Sequence, residues 1–569
     1  MDLTKWLPTA AKATGVSQAC KDHLVKTFDH LITLSPWALK MIDSTSKIPE
    51  SVMDGNIIDF GNYEECIDID VNEKWGSFLG QHCIAMTPVL PLGVSFCSPN
   101  TCSPSDLQSG LSLFFSNLTV IDPLLCHTKE SIPLSGTEWF TIRNFHYKHG
   151  HKKDLSLKTS TTSNAWPCIK NVEYLILTNA PFAVDTFFII SGLLLTYIFM
   201  KTMDAGYRFS LPAYYLHRIF RVTPALALIV LINATLLPRL SSGPIWDYAI
   251  SKTEGKYCSE YWWSTLLYIQ NYVNTQENCV LTSWFLAVDM QMYFLSPIFL
   301  LTLYKRPKIG YLLLGGAGVI GILSSFIQSY VHEDDPNNTK PNIRFSSSYY
   351  YTHTRFISWI MGVAGGYLMY RTIDWRNKVK SGTEKFPMTY LACGWVLFTF
   401  SSLGIIFSLY PFQQEDYSYS AVEAAFYFAL TRPLWSLCVL WLIFACESGC
   451  GGLVNRFLTW PGFIPLAHLA FCIYLIHFDV IITQIFSAKV PAFSDDFHVG
   501  GRCLDVLFIS ALGAIILSLS IEAPCIAFIK LIFSKVTQPL EQNGVTLQTV
   551  TLEATKKQEP LNSSLVSPS

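Results

Sequence analysis

Ionisable side chains set inside long apolar runs are the residues of this sequence best placed to do chemistry. Asp289, Arg432, His477 and Asp479 lie in such runs, where translocon-type scales put a central Asp, Lys or Arg at roughly 2.5 to 3.5 kcal/mol. Asp289, five residues beyond Trp284, can polarise an acceptor hydroxyl or orient a histidine; a structural ion pair between helices is the rival reading. Arg432 can pair with Asp289 or with Asp185. Asp185, near the start of its run, can face a substrate, but capping the positive end of its helix is the simpler account. For His477, a neutral imidazole hydrogen-bonded to a neighbouring helix competes with a chemical role. Arg218 and Arg221 share one helical face just before Pro224, so they can hold a phosphate by paired charged hydrogen bonds or merely flank a membrane span. Ser191 and Gly192 suit close helix approach. Glu522, before Pro524, suits the backbone groups that the proline leaves unbonded. There is no Gly-rich phosphate loop, no metal-spaced Cys-x-x-Cys pair and no Gly-x-Ser-x-Gly elbow, so no metal and no bound cofactor are expected. Tyr349, Tyr350 and Tyr351 beside Trp359 read as an interfacial aromatic belt, and His82 beside Cys83 reads as a disulfide neighbour.

The elements that must position these residues are membrane helices. Only 14% of the 569 residues are charged and half are hydrophobic, against roughly 25% charged in an average soluble chain. The formal charge of -2 gives no basic surface for nucleic acid. Crossing a bilayer takes about 20 mostly apolar residues, and nine runs qualify: 181–200, 222–237, 284–303, 309–330, 356–370, 388–410, 425–446, 466–486 and 504–533. The last is long enough to tilt or break at Pro524. Backbone groups in lipid must be satisfied within each segment, so an all-α polytopic bundle is predicted. Lys201, Arg208, Arg218 and Arg221, then Lys305, Arg306 and Lys308, then Arg371 through Lys385, occupy alternate loops, which the positive-inside rule makes cytosolic. The N-terminal region is then luminal or extracellular and the C-terminus cytosolic, in the endoplasmic reticulum or the plasma membrane.

Seven of the 16 cysteines precede the first apolar run. Cys20, Cys66, Cys83, Cys97, Cys102 and Cys126, with Cys258 and Cys279, are disulfide candidates in an oxidising space, where Cys168 makes a ninth and leaves one over; the spacing leaves the connectivity open. Asn117 and Asn337 begin glycosylation triplets on the same side. Met1 to Val16 lacks an apolar core flanked by a basic start and a small-residue cleavage site, so the chain is expected to lack its true start. The expected organisation is a cysteine-rich, mainly helical domain over 1–130, a luminal linker over 131–180, a membrane domain over 181–535 and a disordered cytosolic tail over 536–569.

The stretch from Asn179 to Tyr197, NAPFAVDTFFIISGLLLTY, resembles the second membrane helix of the acyltransferase 3 family. His217-Arg-Ile-Phe-Arg221 resembles its cytosolic paired-arginine motif, and Trp284 to Tyr293 its aromatic-acid-glutamine-tyrosine helix. Arg432-Pro-Leu-Trp435, Ile473 to His477 and Glu522-Ala-Pro524 agree in the same order. The N-terminal third, including Val16 to Cys20, Trp37 to Asp43, Gly61 to Cys66 and Cys97 to Cys102, is similar to the cysteine-rich ectodomain of the nose resistant to fluoxetine subfamily. The resemblance implies acyl transfer, other than of amino-acyl groups, from a cytosolic acyl-coenzyme A to a lipid or other acceptor at the outer face. It turns Arg218, Arg221 and Arg432 toward donor binding and Asp289, His477 and Asp185 toward catalysis. The subfamily also has two helices before the Val-Asp-Phe helix, the second with a catalytic histidine. Here 126–180 holds no run long enough to cross; Arg143, His146, His149 and His151 lie in a polar stretch that reads as a solvated loop. Two further readings therefore stay open: a catalytically impaired member that binds or carries lipids and other hydrophobic molecules, and an ectodomain that recognises a protein partner.

Overall fold

The computed structural model describes residues 15–47, 58–86, 93–111, 125–129, 175, 179, 181–252, 254–336, 349–414, 417–489 and 496–533. Arg143, His146, His149, His151, Cys168, both glycosylation triplets, most of the expected linker and the tail lie outside them.

Among the described residues the N-terminal domain has four helices and a sheet. α1 (Gln18–Ile32) and α2 (Pro36–Asp43) precede β1 (Ile58–Asp59), α3 (Tyr63–Ile67), β2 (Asp70–Glu73), β3 (Gly76–Met86), β4 (Gly93–Pro99), α4 (Pro104–Leu111) and β5 (Cys126–His127). The strand order is β1-β4-β3-β2, with β5 also on β3; β1 and β4 are parallel and the other pairs antiparallel. The helices were expected; the sheet was not. α1 buries Cys20, Leu24 and Thr27, a spacing that puts all three on one helical face. Asp106 fixes its start by accepting from the Ser17 amide at 2.7 Å and the Ser17 hydroxyl at 2.9 Å. All eight candidate cysteines are paired, as Cys20–Cys102, Cys66–Cys97, Cys83–Cys126 and Cys258–Cys279. The first three tie helix to loop, helix to strand and strand to strand, so a small core of residues such as Phe96 and Phe78 suffices. His82 follows the β3 alternation into the interior and lies against the Phe60 carbonyl at 2.9 Å.

The bundle starts with α5 (Pro181–Asp204) and α6 (Leu211–Thr235). Short α7 (Trp246–Lys252), α8 (Glu254–Leu266) and α9 (Gln270–Val273) lead to α10 (Ser283–Lys305), α11 (Pro307–Val331) and α12 (Thr352–Arg371). After α13 (Ile373–Lys380) come α14 (Met388–Phe407), α15 (Ala421–Glu447), short α16 (Gly452–Leu458), α17 (Phe463–Phe486), α18 (Asp496–Leu517) and α19 (Ala523–Phe533). Among the described residues eight helical stretches are long and apolar enough to cross a membrane, α18 and α19 counting as one. The ninth expected run is α12, which forms but is too polar to qualify. It is instead the buried centre of one half of the bundle, with Arg355, Ser358, Trp359 and Val363 all interior.

Backbone contact between α5 and α12 depends on glycine. A Cβ on Gly362 would lie 2.2 Å from the Ile189 carbonyl oxygen, one on Gly366 2.3 Å from that of Leu193, and one on Gly192 2.5 Å from that of Trp359. Small residues at such a seam let two helices gain dispersion contacts that lipid cannot match. Between α18 and α19, Ser518–Glu522 forms a π-helical turn before Pro524. The Glu522 side chain there accepts from Ser518 Oγ at 3.0 Å and Cys472 Sγ at 3.1 Å, so it bonds side chains and not the freed backbone. At one end of the bundle Tyr370 bonds Asp204 and Arg376 approaches Glu447, which gathers the basic loops there. At the other end the disulfide domain meets α7, with Tyr248 in one apolar cluster with Phe60, Ile84 and Leu125.

Replacing Gly362 by Val is expected to lower stability by about 1 to 3 kcal/mol by overpacking, seen as a lower thermal unfolding midpoint, whereas Gly404→Val, where a Cβ meets nothing, is expected to change it little. Burial holds His82 down at about pKa 4, below the ordinary value near 6.5. The unfolded chain therefore takes up a proton there first as pH falls. The contribution is complete above pH 6.5 and lost toward pH 4, so unfolding midpoints measured across that window should decline less steeply in His82→Gln.

Candidate functional site

Among the described residues two ion pairs occupy the interior of the bundle. Asp185, on the fifth residue of α5, accepts from Arg355 Nη1 at 2.6 Å and from Ser358 Oγ at 3.0 Å, both on α12. The two charged side chains are 1% and 2% exposed, so Asp185 is a buried partner and not a helix cap. Arg355 also donates from Nε to the Tyr349 carbonyl at 3.0 Å, and its guanidinium lies over the Tyr349 ring at 4.3 Å and the Trp284 ring at 5.6 Å. Tyr349 therefore faces the charge and Tyr350 is buried beside it, so the expected aromatic belt is an inner wall at these two positions.

The second pair joins α6 to α10. Arg218 Nη2 bonds Asp289 Oδ2, and Ser191 Oγ on α5 donates to Asp289 Oδ1 at 2.6 Å. Arg218 also lies over the Tyr293 ring at 5.1 Å. The two expected phosphate-holding arginines thus part company: Arg218 turns inward to a carboxylate, while Arg221 is exposed. Arg432 is buried on α15 but pairs with neither aspartate. It donates to Ser325 Oγ at 2.8 Å and to the Thr354 carbonyl at 3.1 Å, because Arg355 and Arg218 already occupy the two carboxylates.

Polar bonds between helices hold these groups in place. Gln291 donates to the Tyr268 carbonyl at 2.7 Å and to Asn271 Oδ1 at 2.9 Å, while Thr352 donates to Gln291 Oε1. On α17, His477 donates from Nδ1 to the carbonyl of Tyr474 at 2.8 Å, within its own helix, and Asp479 accepts from Asn233 at 3.0 Å. Among the described residues no bond links His477 to Asp185 or Asp289. No cluster of metal-ligating residues occurs among them either.

Below the Arg218–Asp289 pair, at the basic end, lies a cavity of 230 Å³ lined by residues including Phe199, Met203, Arg208, Phe209, Tyr214, His217 and Tyr293. Tyr214 and Tyr293 stack at 4.3 Å and form its inner wall, and Arg218 stands over that same Tyr293 ring. An apolar recess with a few convergent polar groups suits a small ligand. Arg208, His217 and Arg355 were not singled out as site residues in the sequence; Arg208 read as loop flanking, and Arg355 fell one residue before an expected span.

The molecule is thus a polytopic membrane protein, a helical bundle with a charged interior joined to a three-disulfide domain. Residues 144–523 match an acyltransferase domain, that of the acyltransferase 3 family, and residues 20–111 match the N-terminal domain of nose resistant-to-fluoxetine proteins. The chain belongs to the acyltransferase 3 family, in its nose resistant to fluoxetine-type subfamily. It is 30% identical to nose resistant to fluoxetine protein 6 of Caenorhabditis elegans over 423 residues, 69% of this chain and 50% of that protein. A Staphylococcus aureus protein that is an O-acetyltransferase by name alone is 27% identical over 200 residues, 34% of this chain and 31% of its own. Regulator of hypoxia-inducible factor 1 of C. elegans is 29% identical over 142 residues, 24% of this chain and 26% of that protein. The chain spans half or less of the length of these relatives. No solved structure matches.

Breaking a buried ion pair on one side leaves an uncompensated charge, which costs about 3 to 5 kcal/mol, whereas replacing both members by apolar residues is often neutral. Arg355→Ala is therefore expected to lower the unfolding midpoint strongly. Arg355→Met combined with Asp185→Leu is expected to recover most of that loss in the same measurement.

Proposed function

We propose that the chain transfers acyl groups other than amino-acyl groups. The donor is an acyl thioester of the coenzyme A type that enters from the basic, cytosolic end, and the acceptor is a lipid or other hydroxyl compound on the luminal or extracellular side, where the disulfide domain stands. The Arg218–Asp289 pair, behind the Tyr293 ring that lines the cavity, carries this reading. In it, Arg208 meets donor phosphate, the Phe199, Met203 and Phe209 wall takes the apolar part, and the thioester carbonyl approaches Arg218. Transfer needs attack by the acceptor oxygen on that carbonyl carbon, breakage of the C–S bond and passage of the acceptor's proton to the departing sulfur. A guanidinium beside the developing oxyanion stabilises that charge. Asp289 then orients Arg218, with Asp185, Arg432 and His477 at the borders of the path. The family and the O-acetyltransferase name of one relative support the reaction class; the gathering of basic loops at one end supports the orientation.

One observation favours a second reading, binding or carriage of lipids without turnover. Asp289 already accepts from both Arg218 and Ser191, so both of its carboxylate oxygens are engaged within the protein and not offered to an acceptor.

Thioester turnover by the purified protein distinguishes the two. Arg218→Ala is expected to lower kcat by about a hundredfold or more, the scale of a lost oxyanion donor. Arg208→Ala is expected mainly to raise the donor KM, and Ser191→Ala, which leaves the ion pair intact, to change kcat little. Lipid binding by a wild-type protein that turns over no thioester would discard the transferase reading in favour of the second.

A further inference from the structure

At the end of the bundle that carries the disulfide domain, α6 and α17 finish side by side. Leu237, just past α6, and Ile482 on α17 are buried in one cluster with Trp246 and Ile250 of α7. Gly243 approaches so closely that a Cβ there would sit 3.0 Å from the Phe486 carbonyl oxygen. An open recess of 580 Å³ lies on this junction, lined by Arg239, Leu240, Ser241, Ser242, Ser487 and Lys489. Among the described residues its lining offers two cations, three hydroxyls and no carboxylate. Glu64 of the disulfide domain bonds Lys489 at the rim, but both side chains are nearly half exposed, and such a surface pair is weak.

The recess has an apolar skirt. Leu236 and Leu240 at the end of α6, and Ile485 at the end of α17, are 47%, 61% and 39% exposed. A cationic, hydroxyl-rich recess bordered by exposed aliphatic side chains at the ends of two membrane helices has the polarity of one molecule class, with an anionic head and hydrocarbon tails. A soluble anion would use the recess and leave the skirt bare.

We propose that this junction is a binding site for an anionic phospholipid. The headgroup phosphate lies between Arg239 and Lys489 and accepts from the Ser241 and Ser242 hydroxyls, and the acyl chains run down Leu236, Leu240 and Ile485. The lipid thereby rests against the seam between the disulfide domain and the bundle and exchanges with Glu64 for Lys489. This site is separate from the cavity at the basic end and does not depend on the transfer reaction.

The test is thermal unfolding of the full purified chain in detergent, titrated with phosphatidylglycerol, with phosphatidylcholine of the same chains, or with inorganic phosphate. Phosphatidylglycerol is expected to raise the midpoint saturably and the other two to act weakly. Arg239→Gln and Lys489→Gln are each expected to lower the apparent affinity about fivefold, the effect of one basic residue at an anionic lipid. Arg239→Lys is expected to keep the response, and Glu64→Gln to strengthen it. Midpoints without lipid report whether each variant is folded. Equal stabilisation by both lipids, or an undiminished response in both glutamine variants, overturns the proposal. Equal stabilisation by inorganic phosphate would reassign the recess to a soluble anion and overturn the lipid assignment. No turnover is measured, so the outcome is independent of the thioester experiment.

Discussion

A charge buried in an apolar bundle must be compensated where it stands, because several kcal/mol of solvation are lost with the water. Four charged side chains here meet that demand in pairs, Asp185 with Arg355 and Asp289 with Arg218. Each pair bridges two helices, α5 to α12 and α6 to α10, and Ser191 of α5 closes onto the second pair. The charges therefore dictate which helices are neighbours and at what register. Hydrocarbon contact alone would not, since lipid tails satisfy leucine as well as another helix does. The short contacts at Gly192, Gly362 and Gly366 follow: α12 must come close to α5 for Arg355 to reach Asp185.

Most of the helices were legible because solvent choice is written in composition. Runs without charge of membrane length give themselves away by count alone, and the break before Pro524 follows from a missing amide hydrogen. α12 is the informative exception. Its polar residues make it poor in hydropathy, yet they are what places it at the centre, where Arg355 and Ser358 find a carboxylate. The sheet of the disulfide domain was hidden for another reason. β1 and β5 are two residues long, too short to show alternation, and β3 and β4 pair across a link that carries no tight hairpin turn signal.

The candidate site was legible in membership and not in pairing. Asp185, Asp289 and Arg432 stand out by type and depth and Arg218 by its paired-arginine motif, but a sequence does not say which cation reaches which anion. Arg218 and Asp289 are 71 positions apart, and Arg355 and Asp185 170. Arg355 was missed because it sits at the polar threshold of its run, where an arginine looks like ordinary flanking. That placement lets its guanidinium lie on Tyr349 and Trp284 while reaching inward. The disulfides posed the same difficulty: the eight cysteines were recognisable, whereas their partners depend on a sheet that brings Cys83 beside Cys126.

The position of Asp289 is set from outside the membrane core as well as within it. Cys279, four residues before α10, is bonded to Cys258 of α8, and Gln270 of α9 donates to Ser283 at the first turn of α10 at 3.0 Å and 3.1 Å. Gln291, about two turns below, is held by Asn271 and the Tyr268 carbonyl. The α7–α9 segment therefore grips α10 from Ser283 to Gln291 and fixes the depth at which Asp289 meets Arg218. The same segment seats the disulfide domain: His127 contacts the Pro244 carbonyl at 3.1 Å and Asp247 at 3.1 Å, and Tyr248 enters the domain's apolar cluster. The disulfide domain is thus connected through α7, one cystine and a short run of amide hydrogen bonds to the helix that carries Asp289.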